Sequence, residues 1–150
     1  MTRATSAELK EYLEFSHRLA DISGAAILPY FRKSIAVRNK AGKTGFDPVT
    51  AADRAAERAI RKAVTTAYPE HGIVGEEFGQ VAGAGRFGWV IDPIDGTRAF
   101  IAGREDWSVS AALVVEGRPV AAALFAPATE ELFLSSIGSG AMRNLSLIHI

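Results

Sequence analysis

The chain has 150 residues, 48% of them apolar and 23% charged, which suits one folded domain with its own core and excludes a disordered chain. Lys plus Arg number 17 and Asp plus Glu 17, so there is no basic excess to grip nucleic acid, and the absence of cysteine excludes disulfides and thiolate metal sites. No stretch approaches the roughly 18 apolar residues of a membrane span, and the charged start MTRATSAELKEYLEF is no signal peptide, so the chain reads as cytoplasmic with no membrane or nucleic-acid partner.

Leu9, Tyr12, Leu13, Leu19, Ile22 and Ile27 recur at spacings near three and four, which predicts a helix over 5–31. Thr5 and Glu8 can form its capping box, and Pro29 ends or bends it. A short strand is predicted at 35–38, followed by the loop NKAGKTGFDP, rich in Gly and Pro. A second helix is expected from Thr50, with Asp53 in its first turn and an apolar side built mainly of alanine (Ala52, Ala55, Ala56, Ala59, Ile60, Ala63, Val64). YPEHG stops it, and His71 reads as a loop residue. Strands at 73–75 and 88–91 follow, then two apolar runs at 107–115 and 119–125 joined by a Glu116-Gly117-Arg118 turn, and a last strand at 131–135. Early helices followed by hairpin-linked strands make an α+β layered domain.

The acids carry the chemistry. Glu76, Glu77, Asp92 and Asp95 all fall just past the ends of predicted apolar strands. If those strands are neighbours, their C-terminal ends bring the carboxylates to one edge of the sheet. Clustered carboxylates repel unless some take up protons or a cation joins them. Neither of the two loops supplies a nearby Lys or Arg, so a divalent ion is the natural partner. Ligands that are all oxygen favour hard ions, magnesium above all. The plain alternative is acids facing water. Against it stand their placement at the ends of buried strands and the rigidity that Pro93 gives the segment from Asp92 to Asp95.

Gly96 and Thr97 open a short helix predicted over 97–102 and could aim backbone N–H groups at an anion, with no Gly96 side chain in the way. A plain turn with Thr97 as helix cap is the competing reading. Three other matches fail. Gly83, Gly85 and Gly88 precede a strand instead of following one, and Gly42-Lys43-Thr44 has Val37 where a phosphate loop needs glycine. Asn144-Leu145-Ser146 fits a glycosylation acceptor, which has no meaning in a cytoplasmic chain.

Three segments together, FDPVTAAD (46–53), GIVGEEFG (72–79) and WVIDPIDGTRAF (89–100), resemble the inositol monophosphatase superfamily of magnesium-dependent, lithium-sensitive phosphomonoesterases. The resemblance runs from about residue 7 to 144 and implies a layered α/β sandwich of the inositol monophosphatase and fructose-1,6-bisphosphatase type. It also implies roles. Glu76 and Asp92 bind a first metal with the Ile94 backbone carbonyl, Asp92 bridges to a second shared with Asp95, and Glu77 supports the first or a third, weaker ion. Thr97, paired with Asp47, activates the attacking water. The N–H groups of Gly96 and Thr97 hold the phosphate, and Lys40 closes over the site. The implied ligands are thus two or three Mg2+ ions and a small phosphorylated metabolite, with a homodimer as the assembly of a full-length parent.

The sequence departs from the family after residue 144. The second half, with a Trp-Asp-x-Ala motif whose aspartate completes the second metal site, is absent. Residues 1–144 are expected to be the N-terminal metal-binding domain of a truncated phosphatase. The tail LSLIHI (145–150) is expected to be unrelated or frameshifted, without structure. YFR (30–32), Arg38-Asn39-Lys40 and Arg98-Ala99-Phe100 resemble the histidinol-phosphatase branch. DWSVSAALV (106–114) is closer to inositol-phosphate or 3′(2′),5′-bisphosphate nucleotide phosphatases. The substrate expected is L-histidinol phosphate, and the alternative from another class is an inactive fragment.

Overall fold

The computed structural model describes residues 3–41, 45 and 48–148. Helix α1 (Ser6–Ile27) opens on the expected capping box: Thr5 Oγ1 accepts from the Glu8 N–H at 3.2 Å, and the Glu8 carboxylate accepts from the Thr5 N–H at 2.7 Å. It stops short of residue 31. Pro29 has no N–H to continue the ladder, so a 3-10 turn over Leu28–Tyr30 replaces the last helical turn. Strand β1 (Val37–Asn39), slightly later than expected, pairs antiparallel with β2 (Pro48–Thr50). Thr50 then caps α2 (Ala51–Ala67) through a second capping box with Asp53.

The remaining strands are β3 (Gly72–Gly75), β4 (Gly79–Val81), β5 (Phe87–Asp95), β6 (Ser108–Val115), β7 (Arg118–Ala126), β8 (Glu131–Ser136), β9 (Gly140–Arg143) and β10 (Ser146–Leu147), with α3 (Thr97–Ile101) between β5 and β6. They form one sheet in the order β10-β9-β8-β7-β6-β5-β3-β4. Among the described strands of this sheet only β3 and β5 are parallel neighbours. That exception places the site, because two parallel strands end at the same edge. Residues 145–150 were expected to lack structure, yet Ser146 and Leu147 pair with Arg143 and Met142, adding a short strand at the far edge.

Both long helices cover one face of the sheet. Along β5, Phe87, Trp89 and Ile91 alternate inward and pack with Tyr12, Phe15, Leu19, Ala56, Ile60 and Val64, as period-two strands and a small-residue helix face dictate. On the other face Val74, Val90 and Leu124 stay 42%, 45% and 40% exposed, so among the described residues this layer has helices on one side only. The architecture is the α+β layered fold that the sequence predicts. His71 does lie between α2 and β3, but it is no surface loop residue: it is 5% exposed, stacks on Tyr68 with centroids 4.6 Å apart, and accepts the Trp89 indole N–H on Nδ1 at 3.1 Å. Burial holds its imidazole below the ordinary pKa, which suits a neutral acceptor.

Candidate active site

The parallel pairing of β3 and β5, in register Gly75↔Ile91, brings Glu76 and Asp92 side by side where the strands leave the core. Strand β5 continues past Asp92, further than predicted, with an irregularity between Asp92 and Asp95 where Pro93 interrupts the ladder with β6. Gly96 follows at φ 89°, and a Cβ there would lie 2.9 Å from the Asp106 carbonyl oxygen, so both angle and space select glycine. The chain then turns into α3.

Asp92 is the most perturbed acid. Its Oδ1 is buried with no hydrogen-bond partner. Burial first, then a hydrogen bond with Glu76 and the charges of Glu76, Asp95 and Asp53, push its carboxyl up to about 7 from 3.8. Two carboxyls bond to each other only when one carries a proton, and the raised Asp92 carboxyl is the one that holds it. Without a cation, the site relieves its crowding by holding a proton.

A second relief comes from a residue distant in sequence. Lys40 Nζ lies 3.2 Å from Glu76 Oε1 and 3.2 Å from Glu77 Oε1. Neither acid loop carries a Lys or Arg of its own; the counter-charge arrives from Lys40 after β1, the residue that the family resemblance sets over the site. Burial works against the Lys40 charge, but bonds to Glu77 and Glu76 outweigh it and hold its pKa above the ordinary value. For Glu77 the balance is reversed. Its side chain is only 6% exposed, and burial raises its pKa despite Lys40. The two shifts differ because Glu77 is the more deeply desolvated partner.

Thr97 sits at the other side of the site. Its Oγ1 lies 3.1 Å from Asp53 Oδ1 and 3.1 Å from the Ile94 carbonyl oxygen. A hydroxyl has one proton and both neighbours only accept, so Thr97 donates to one of them at a time and keeps lone pairs to accept from another group. Asp95 and Gly96 line an open cleft of about 470 Å3 shared with Asp106, Trp107 and Thr129. The sequence-derived set of Lys40, Glu76, Glu77, Asp92, Ile94, Asp95, Gly96 and Thr97 thus meets at one sheet edge, while Asp47 lies outside the described residues.

Two acids escaped the sequence reading. Asp53 is 2% exposed and Glu57 fully buried, both on α2. Their signal was present: on a helical wheel they extend the arc of Ala52, Ala56, Ile60 and Val64, so they had to point inward. Glu57 Oε2 accepts the Glu77 N–H at 2.6 Å, and Oε1 accepts the Phe78 N–H at 3.0 Å and the Arg61 Nε–H at 2.9 Å.

Comparison with known proteins places this geometry. The sequence model described as the inositol monophosphatase family matches residues 8–150. A histidinol-phosphatase of Chlorobaculum parvum is 40% identical over 139 residues, covering 92% of this chain and 52% of its own length. An inositol-1-monophosphatase of Rhizobium meliloti is 42% identical over 99 residues, covering 65% and 37%. The solved structure of a Thermotoga maritima IMPase superposes with a TM-score of 0.83 at 35% identity, over 93% of this chain and 54% of that one. The chain therefore spans about half the length of the first of these relatives and of the solved structure. Matched from residue 8 to 150 and sharing the fold, the chain belongs to the inositol monophosphatase family.

Proposed function

We propose that this chain is the metal- and phosphate-binding half of a magnesium-dependent phosphomonoesterase. The observation that carries the reading is the buried, unpartnered Asp92 Oδ1 within a cluster of carboxylates whose charges add to burial in raising the proton affinity of Asp92. Among the described residues no three acidic or imidazole side chains form a ready-made metal cage, so the fit rests on donor chemistry and on that orphaned atom. All-oxygen donors of this kind suit a hard divalent cation.

Glu76, Asp92, Asp95 and the Ile94 carbonyl would hold the ions, two or three in all, with Glu77 in support. Bound there, magnesium would neutralise phosphoryl charge and make a water more acidic. The chain's own groups do the rest. Asp53 can take the Thr97 hydrogen bond, which frees Thr97 lone pairs to accept from a water and aim its oxygen. Asp47, the partner that the family resemblance implies for Thr97, would be a further acceptor for its one proton. Gly96 removes the side chain that would bar a phosphate from the backbone. Lys40, held beside Glu76 and Glu77, brings positive charge to the rim where an anionic substrate enters. Phosphoryl transfer needs little more than positioning and charge neutralisation.

L-histidinol phosphate is the substrate we propose, supported by the relative of that name aligned over 92% of the chain. An inositol phosphate is the second reading, supported by the Rhizobium relative. The test is phosphate release from histidinol phosphate, inositol 1-phosphate and adenosine 3′,5′-bisphosphate with magnesium. It is run on the chain alone and on the chain joined to the second half of the Chlorobaculum enzyme. Histidinol phosphate should be the preferred substrate of the joined protein. Activity only when joined identifies the chain alone as an inactive half, and no release from any substrate by either protein contradicts the reading.

A further inference from the structure

We infer that Glu57 on α2 is a positioning residue that holds the loop after β3, the one carrying Glu76 and Glu77, against the helix. The inference rests on the reading of the site given above. Residues four apart on a helix share a face about 6 Å apart along the axis. Here each points at a different loop. Asp53 Oδ1 receives the Thr97 hydroxyl at 3.1 Å while Oδ2 receives the Thr50 N–H at 2.8 Å and the Thr50 hydroxyl at 2.5 Å. Glu57 receives the N–H groups of Glu77 and Phe78, and Arg61, paired with Glu57, also donates to the Gly79 carbonyl. Glu57 thereby ties the loop after β3 to the helix.

Capping accounts for part of Asp53 and none of Glu57, which lies well inside the helix. A fully buried carboxylate is costly unless donors surround it, and the donors here are the backbone of the very loop that carries Glu76 and Glu77. Gly75 supports the same reading. Its backbone is not left-handed, yet a Cβ there would run into the Glu57 carboxylate and, at 2.9 Å, the Arg61 guanidinium, so glycine is required by the position of Glu57.

Glu57→Gln separates positioning from bulk stability. It keeps the shape but turns an NH2 either toward the Glu77 N–H or toward the Phe78 N–H and the Arg61 Nε–H, depending on how the amide is flipped. In the metal-free chain, the amides of Glu77 and Phe78 should exchange with deuterium at least about tenfold faster, while β5 amides keep their protection. Mn2+ affinity, read by electron paramagnetic resonance, should fall about tenfold or more, the usual scale for loss of a ligand's supporting partner. Gly75→Ala should reproduce both effects with Glu57 intact, which keeps the test decisive if Glu57→Gln unfolds. Asp53→Asn should leave Glu77 and Phe78 protected and shift the Thr97 resonances instead. Unchanged exchange at Glu77 and Phe78 in a folded Glu57→Gln chain overturns the inference. So does faster exchange with unchanged Mn2+ affinity. If the wild-type chain binds no Mn2+, the metal reading of the acids fails, and exchange alone decides whether Glu57 positions the loop.

Discussion

Replacing Asp92 by Asn should make the metal-free chain more stable and, at the same time, less responsive to metal. The wild-type carboxyl is raised from 3.8 to about 7, chiefly by burial and then by Glu76 and Asp95. Forcing it to ionise above that value corresponds to at most ~4 kcal/mol. Asp92 is only half-buried, and water screens its neighbours' charges, so ~1–2 kcal/mol is the realistic share. For a chain of this size that is a rise in Tm of about 3–6 °C at pH 8 in chelator. The folded chain holds a proton that the unfolded chain releases. Wild-type stability relative to the Asn variant therefore falls as pH rises from about 4 to about 7 and is flat beyond. With magnesium the order reverses, because the wild type gains a bound cation and the variant does not. Thermal melts of both chains across pH, with chelator or magnesium, measure all of this. An Asn variant less stable than wild type at pH 8 in chelator, or equally stabilised by magnesium, refutes the reasoning.

Lys40→Met leaves Glu76 and the buried Glu77 without their bridging ammonium, so the metal-free chain should lose about 1 kcal/mol at pH 8 and regain it on adding magnesium; a loss that magnesium does not restore contradicts this. Gly96→Ala places a Cβ 2.9 Å from the Asp106 carbonyl at φ 89° and should cost ~1–3 kcal/mol by urea unfolding, with an unchanged midpoint as the contrary result. Trp89→Phe empties part of the core and orphans His71 Nδ1, for an expected ~2–4 kcal/mol in the same assay; a change below ~0.5 kcal/mol means that the indole bond and volume were not needed.

Periodicity made α1, α2 and the hairpin of β6 and β7 legible, because each buries one face against a single layer. The acids at the ends of β3 and β5 were legible for the same reason: an apolar run that stops at a carboxylate marks a strand leaving the core. What could not be read locally is pairing. The family resemblance set Lys40 over the site, but nothing near it says that it bridges Glu76 and Glu77, since that contact depends on how the segment after β1 folds back. Asp53 was read only as a first-turn acid, and Glu57 was passed over because an alanine-rich face was read by its apolar members, although their wheel positions turn both into the same buried arc. The strand at 146–147 was missed because LSLIHI was judged against a family motif and not against the open edge of β9.

On the proposed reading, the acids at the edge of β3 and β5 hold a divalent cation through Asp92. Titrating Mn2+ into the chain at pH 8 and counting free ion by electron paramagnetic resonance tests it most directly. The wild-type chain should take up Mn2+ that magnesium displaces, and the Asp92→Asn chain, folded by circular dichroism, should leave it free. Mn2+ that stays free with the wild-type chain, or binds the Asn chain equally well, contradicts the claim.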